Sequence, residues 1–316
     1  MHSVVIGVDA GGTKTVAALA RNGEIVRRVE GPAANVTTLG PHDAADTILR
    51  AVREAADGER PQAIHVGAAG AGRETAAREL AELIAAGFPK ARVTVGDDAE
   101  PALRSVVPSG AGIVLIAGTG SIALAVDGEG RVHRAGGLGH LVGDEGSAVW
   151  IGLEAIRLLG RVYDGRARKD ETSDLVARHL DAPDRGTLIA AVYEGGFNPG
   201  RAAGLAPSVV AFAGKGNRAS SRIVTAAAQH LGDLVVAVAD AAGLAETAAP
   251  IALAGGLLRA DNFLTTLLRD RLQAALAAAP VVRAEDPVLG AVRLAAGERP
   301  LAGGLRNAQD TWENET

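Results

Sequence analysis

The sequence predicts an α/β protein built from two similar half-molecules. Three observations carry that reading. Apolar strand-like runs alternate with helix-period segments through the first part of the chain. One supersecondary pattern, strand, Gly-rich turn, strand, tight turn, strand, occupies residues 3–29 and returns at residues 112–135, and two copies of one unit imply two like halves. The length of 316 residues suits two domains at roughly 100–200 residues each.

Residues 3–8 are a β-branched apolar run closed by Asp9-Ala10-Gly11-Gly12-Thr13-Lys14-Thr15, and residues 16–20 resume the run up to Arg21-Asn22-Gly23. Asn-Gly between two such runs predicts a type I′ hairpin, because both central residues take φ > 0. Residues 24–29 are the third strand. A strand, not a helix, follows the Gly-rich turn, which disfavours a P-loop and a dinucleotide-binding fold. Next come a helix at 41–56, a strand at 63–67, a helix at 74–86, and a strand at 92–95 that ends in Gly96-Asp97-Asp98; Pro101 fits the first turn of the helix after it. The second copy runs 112–117, Gly118-Thr119-Gly120-Ser121, 122–126, a turn at 127–130, and 131–135.

Beyond Ser147 the pattern is largely helical, at 148–159, 173–180, 187–192, 203–213 and 222–242. A buried-strand run at 251–254 ends at Gly255-Gly256, and helices follow at 262–278 and 287–296. The expected domains are an N-terminal lobe at 1–109, joined by the C-terminal helix near 287–296, and a larger C-terminal lobe with helical insertions at 110–286. The hinge is expected near Pro108-Ser109-Gly110, and 306–316 are read as a flexible polar tail.

Composition removes several functions. With 37 acidic against 32 basic side chains, a net charge of −5 and few aromatics (four Phe, two Trp, two Tyr), the chain has neither a basic footprint nor a stacking platform for nucleic acid. It has no Cys, so thiolate zinc, cysteine-ligated iron–sulfur and cysteine-nucleophile chemistry are excluded. The N-terminus lacks a basic segment followed by an apolar run, and 18 consecutive apolar residues occur nowhere, so a cytoplasmic protein without a membrane partner is expected. The seven His, His2, His42, His65, His133, His140, His179 and His230, show no metal-ligand spacing, and G-x-S-x-G, G-x-G-x-x-G and H-E-x-x-H motifs are absent.

The Gly-rich turns pose a chemical problem whose solution suggests a ligand. Asp9 would repel a polyphosphate unless a cation intervened, and Mg²⁺ held through a carboxylate, waters and phosphate oxygens resolves the conflict. Gly11 and Gly12 allow close backbone approach, while Thr13, Thr15 and backbone N–H groups can donate to phosphate oxygens. The run from Gly136 to Ser147 holds five glycines in twelve residues beside Asp144 and Glu145. It reads either as a helix entry capped by Asp144 or Ser147 or as the acceptor- and donor-rich wall of a polyol pocket. Asp97 and Asp98 end a strand where α/β sheets collect ligands, so one can cap the next helix while the other accepts a hydroxyl proton. Gly255-Gly256 reads as a tightly packed strand end or as a flat platform for adenine.

Together these residues resemble the actin-like, sugar-kinase and heat-shock ATPase superfamily. Asp9-x-Gly-Gly-Thr-Lys-Thr looks like its first phosphate motif, Gly118-Thr119-Gly120-Ser121 its second, and Ala254-Gly255-Gly256 its adenosine motif. Within it, the Gly-Gly-x-Gly-His-x-x-Gly-Asp-Glu-Gly-Ser run is similar to the N-acetylglucosamine kinases of the BadF/BadG/BcrA/BcrD ATPase group. The resemblance implies two RNase H-like lobes around an interdomain nucleotide cleft, with ATP and Mg²⁺ as cofactors and phosphoryl transfer to the 6-hydroxyl of an amino sugar. It implies that Asp98 is the catalytic carboxylate at the reactive hydroxyl and that Asn35, Gly137, Leu138, Gly139 and Asp144 contact the sugar. It implies that Gly11, Gly12, Thr13, Lys14, Thr15, Thr119, Gly120, Ala213, Gly255 and Gly256 contact ATP, with Asp9 on the Mg²⁺ side. Leu138 stands where the family often has Trp, leaving both N-acetylglucosamine and glucosamine open. A homodimer is expected from the family. A non-catalytic sugar sensor and an ATPase activator of a partner enzyme are the alternatives, although the family's activators hold an iron–sulfur cluster through cysteines this chain lacks.

Overall fold

The computed structural model describes residues 3–72, 74–194, 198–284 and 286–297; the tail at 306–316 lies outside them. In chain order the elements are β1 (Val4–Ala10), β2 (Lys14–Arg21), β3 (Glu24–Pro32), α1 (Val36–Leu39), α2 (Pro41–Ala56), β4 (Ala63–Ala68), α3 (Glu74–Gly87), β5 (Arg92–Asp97) and α4 (Ala99–Val106). Then follow β6 (Gly112–Ala117), β7 (Ser121–Val126), β8 (Val132–Gly136), α5 (Ala148–Tyr163), α6 (Glu171–Leu180), α7 (Arg185–Tyr193), α8 (Pro199–Ala203), α9 (Ala206–Gly214) and α10 (Arg218–Ala241). The chain ends in β9 (Ile251–Ala254), α11 (Phe263–Ala275), β10 (Val281–Arg283) and α12 (Pro287–Ala295).

Two five-stranded sheets form, with strand orders β3-β2-β1-β4-β5 and β10-β9-β6-β7-β8. The plan is the same in both: a three-strand meander whose first strand sits at the centre, with two later strands added beyond it. The repeated Gly-rich pattern in the sequence is therefore a repeated sheet. The chain divides into two compact units. One takes in the described residues of Met1–Val114, Ala125–His133 and Ala284–Thr316, the other Leu115–Leu124 and Arg134–Arg283.

In the first unit, Asn22 and Gly23 take φ of 52° and 86°, the geometry required of a two-residue turn joining antiparallel β2 and β3. β1 pairs antiparallel with β2 and parallel with β4, which pairs parallel with β5. β4 is buried along its whole length, as a strand inside a covered parallel sheet must be. Ile48 and Val52 of α2 and Leu80 and Ile84 of α3 pack with Ile6, Val8, Ile64 and Val66. Val288, Val292 and Ala295 of α12 pack with Val5, Ala18 and Ala20. α12 is held by backbone-to-backbone approach: a Cβ on Gly7 of β1 would lie 2.3 Å from Val292 N, and one on Gly290 would lie 1.9 Å from Pro101 O of α4. Arg293 Nη1 donates to Arg104 O at 2.7 Å and Ser105 O at 3.0 Å, satisfying carbonyls at the C-terminal end of α4. Because α4 starts directly after Asp98, α12 fixes the helix that carries that carboxyl.

His65 on β4 is 1 % exposed, with Nδ1 3.0 Å from Thr94 Oγ1 and Nε2 without a partner. Burial, aided by the positive charge of Arg92, pushes its pKa down to about 3. The folded state therefore keeps His65 neutral while the unfolded chain takes up a proton below about pH 6.5. Stability should fall as pH drops between those two values, with this residue contributing a slope of at most about 1.4 kcal/mol per pH unit. Urea denaturation of His65→Leu across that window should show a shallower acid loss than the parent, whatever the substitution does to stability at neutral pH.

The second unit is mostly helical, and three differences from the sequence reading have physical causes. The helix expected at 203–213 starts at Ala206, because Pro207 sits in the first turn of α9, where its missing N–H is tolerated, while its ring crowds the carbonyl four residues back and stops the helix extending towards Ala203. α10 starts four residues earlier than expected, with Asn217 accepting from Ser220 N as its cap. Three-residue β10 is too short to impose a period on the sequence, as is four-residue α1 in the first unit. By length and apolar composition α10 could cross a membrane, yet half of its apolar window is buried inside this fold, where Val224, Leu231 and Val235 are core residues.

Candidate active site

In the first unit the candidate residues gather at the carboxyl ends of β1 and β5. Asp9 faces Gly67 of β4 across the parallel ladder, and Gly67 faces Gly96. Asp9 and the Asp97-Asp98 pair are thus two strand spacings apart, roughly 10 Å along the sheet. The two adjacent carboxyls divide their tasks: Asp97 Oδ1 accepts from Ala99 N at 3.0 Å, while Asp98 makes no capping bond to α4. Asp98 is half-buried. Burial, then the charge and hydrogen bond of Asp97, then the charge of Asp9 raise its pKa well above the usual carboxylate range.

The turn after β1 closes with Gly11 N donating to Lys14 O at 2.9 Å, leaving Gly12, Thr13 and Lys14 exposed. Lys14 Nζ pairs with Glu30 Oε1 at 2.6 Å. Thr15, grouped with the phosphate-side residues in the sequence, is 0 % exposed with its hydroxyl unpartnered, while Thr13 presents an accessible hydroxyl. Asn35 caps α1, its Oδ1 accepting from Thr37 N at 2.8 Å and Thr38 N at 3.3 Å. Its Nδ2 lies 3.8 Å from where a Gly12 side chain would begin, so the amide faces the Gly-rich turn.

In the second unit the β6–β7 turn closes with Gly118 N donating to Gly120 O at 2.9 Å, and Thr119 is exposed. The glycine-rich run after β8 combines both sequence readings. Ser147 caps α5 by accepting from Trp150 N at 3.2 Å, whereas Asp144 turns to the β6–β7 turn and accepts from Ser121 N at 3.4 Å. Burial raises the Asp144 pKa against the opposing pull of Ser121 and Gly139 N–H groups. Gly137 and Gly139 take positive φ, and Leu138 is 67 % exposed.

A cavity of about 340 Å³ lies between α9 and the start of α11, lined by Val210, Ala211, Gly214, Gly256, Leu257 and Phe263 among others. It is apolar and of a size for a small ligand. Ala213 is 2 % exposed, while its neighbours Ala211 and Gly214 line the cavity. Gly255 and Gly256 take different parts. A Cβ on Gly255 would lie 2.4 Å from Ala117 O, so Gly255 makes the close strand-end contact and Gly256 lines the cavity. Sequence reasoning missed Pro207, Val210, Ala211 and Gly214, whose spacing of three, four and seven residues places them on one face of α9.

Among the described residues no group of three or more His, Asp or Glu could hold a metal alone. A single carboxylate such as Asp9 beside a Gly-rich turn fits the donor set of Mg²⁺, which keeps several waters and takes one or two carboxylates together with phosphate oxygens.

The family model described as the BadF/BadG/BcrA/BcrD ATPase family matches residues 6–295. The chain is 29 % identical over 301 residues to an N-acetylmuramic acid/N-acetylglucosamine kinase of Clostridium acetobutylicum, covering 93 % of this chain and 98 % of that one. It is 28 % identical over 310 residues to an N-acetyl-D-glucosamine kinase of Dictyostelium discoideum, covering 92 % and 97 %. The crystal structure of a candidate N-acetylglucosamine kinase from Chromobacterium violaceum superimposes with a TM-score of 0.75 at 28 % identity, covering 92 % and 98 %.

Proposed function

The chain belongs to the BadF/BadG/BcrA/BcrD ATPase family, and we propose that within it the protein is a kinase transferring the γ-phosphoryl group of ATP to the 6-hydroxyl of an amino sugar, N-acetylglucosamine or glucosamine. The observation that carries the reading is Asp98: a carboxyl of raised proton affinity, not spent on capping, placed across one strand from the Gly-rich turn that follows Asp9. Relatives named as kinases of N-acetylated amino sugars match nearly the whole chain.

In this reading the sugar hydroxyl hydrogen-bonds to Asp98, which takes its proton as the O6–Pγ bond forms and the bond from Pγ to the bridging β-phosphate oxygen breaks, releasing ADP. Most of the rate arises from alignment and charge stabilisation rather than covalent chemistry. The backbone N–H of Gly12, with Thr13 and Lys14, would face phosphate, Gly11 allowing its close approach; Thr119 and Gly120 would supply further phosphate contacts. The apolar cavity at Ala211, Gly214 and Gly256 receives the nucleoside. Asn35 through Nδ2 and the loop bearing Gly137, Leu138 and Gly139 hold the sugar. Asp9 would hold Mg²⁺ through water and phosphate oxygens, and the ion would supply positive charge against the phosphates. The same reading places the protein in the cytoplasm, where ATP is available, and includes a homodimer.

A coupled assay of ADP release with ATP, Mg²⁺ and a panel of N-acetylglucosamine, glucosamine, N-acetylmuramic acid and glucose tests the proposal. ADP release that requires an amino sugar is expected. Release at the same rate without sugar would identify an ATPase instead, and silence with every sugar would identify a sensor.

A further inference from the structure

The cavity that takes the nucleoside in the kinase reading is walled mainly by carbon. Pro207, Val210, Ala211 and Leu257 line it with aliphatic groups, and Phe263 adds an aromatic ring. Among the described residues of that lining Asn262 alone has a polar side chain, and its amide is spent on the fold. Nδ2 donates to Leu257 O at 3.0 Å and Ala260 O at 3.1 Å, while Oδ1 caps α11 by accepting from Thr265 N at 3.0 Å. Both amide protons are therefore used.

The main chain nearby is committed as well. Leu257 N donates to Ala117 O at 3.1 Å, and Ala211 O accepts from Lys215 N at 3.2 Å; Leu257 O is the acceptor already given to Asn262. The first N–H groups of α11 are donors by position. A donor meets ring nitrogens such as N7, an acceptor in adenine and guanine alike, whereas the two bases differ in the amino or oxo group at C6 and the amino group at C2. Recognition then rests on area and shape. The Phe263 ring offers a stacking face, and at Gly256 even a Cβ would meet nothing within 4 Å, which leaves that wall open to a flat ring.

We propose that the cavity holds a purine by its faces without reading its 6-substituent, so that GTP and ITP serve as phosphoryl donors alongside ATP. The inference rests on the kinase reading above and on its placement of the nucleoside. The reaction is otherwise unchanged: the bond from the sugar oxygen to Pγ forms, the bond from Pγ to the bridging β-phosphate oxygen breaks, and GDP or IDP leaves in place of ADP. A site built to hydrogen-bond one ligand rejects the analogue lacking that group by about 10⁴–10⁵-fold, whereas an apolar pocket separates near-isosteres by at most about 200-fold. That gap decides the test.

Two measurements on the full chain apply it: steady-state kcat/KM for ATP, GTP and ITP with Mg²⁺ and N-acetylglucosamine, and calorimetric binding of non-hydrolysable ATP and GTP analogues. The three kcat/KM values, and the two affinities, should each fall within about 200-fold of one another. Phe263→Ala should weaken both analogues by a like factor, roughly 5- to 150-fold from lost base stacking. Asn262→Ser keeps a cap for α11 and removes the amide, so the ratio of the two affinities should stay at the parent's value. A preference for either base beyond about 200-fold, a loss in Phe263→Ala confined to one analogue, or a ratio that moves in Asn262→Ser would each overturn the proposal. The failures are distinguishable: turnover with ATP but with neither GTP nor ITP overturns the base indifference and leaves the kinase reading in place, and a protein inert towards every amino sugar with all three nucleotides overturns both.

Discussion

Asp98→Asn is expected to lower kcat by roughly 10²–10⁴-fold, the usual contribution of a positioned general base, while sugar and nucleotide affinities stay close to those of the parent. Asparagine preserves the size of the side chain and one acceptor oxygen but cannot take up the hydroxyl proton. Steady-state kinetics with N-acetylglucosamine, together with calorimetric binding of the sugar, check both halves of the statement; near-normal turnover would remove Asp98 from the role of base. The raised pKa of Asp98 adds a pH signature. Because burial and the neighbouring carboxylates favour its protonated form, the active carboxylate accumulates only as pH rises through that elevated value. The acid limb of kcat/KM should therefore lie above the ordinary carboxylate range. Asp97→Asn removes the adjacent charge, keeps an acceptor for Ala99 N, and should move the limb to lower pH.

Gly290→Ala should destabilise the protein by about 3 kcal/mol or more, at the upper end of overpacking effects. Helix propensity alone forecasts the opposite sign, since alanine exceeds glycine by about 1 kcal/mol inside a helix. Sterics decide, because the new methyl would lie 1.9 Å from Pro101 O and 2.7 Å from Ser105 N, both backbone atoms that yield only if α4 and α12 move apart. That movement would also displace the helix following Asp98, so residual folded enzyme should lose kcat. Urea denaturation followed by circular dichroism measures the first effect. A stability equal to or above the parent's would show that the α4–α12 contact gives way cheaply.

Much of the sheet architecture was legible because its signals are local. Strands buried on both faces read as unbroken apolar runs, as at Gly112–Ala117, and Asn22-Gly23 selects its turn by backbone conformation alone. α2 could be delimited because Pro41 opens it and Asp57 and Gly58 turn left-handed after it. The helical region was harder, since apolar spacing runs on through Gly204 while Pro207 sets the start of α9 at Ala206. At the candidate site, residue types pointed to phosphate and polyol chemistry, but burial could not be read from them. Thr15 and Ala213 have suitable neighbours in sequence, and the packing of β2 and α9 places both in the interior. The apolar cavity has no motif because its walls meet only when α9 folds against the segment from Gly256 to Phe263. Asn35 reads as a loop polar residue until the single turn of α1 gives its side chain two backbone N–H groups to cap.

The most direct test of the central claim is phosphorus NMR of the reaction of the purified protein with ATP, Mg²⁺ and N-acetylglucosamine, set beside the same mixture containing the 6-deoxy sugar. The kinase reading predicts a phosphomonoester resonance coupled to the C6 protons, growing in step with ADP, and no phosphosugar from the 6-deoxy compound. ADP accompanied by free inorganic phosphate, or an equal phosphosugar yield from the 6-deoxy compound, would contradict it.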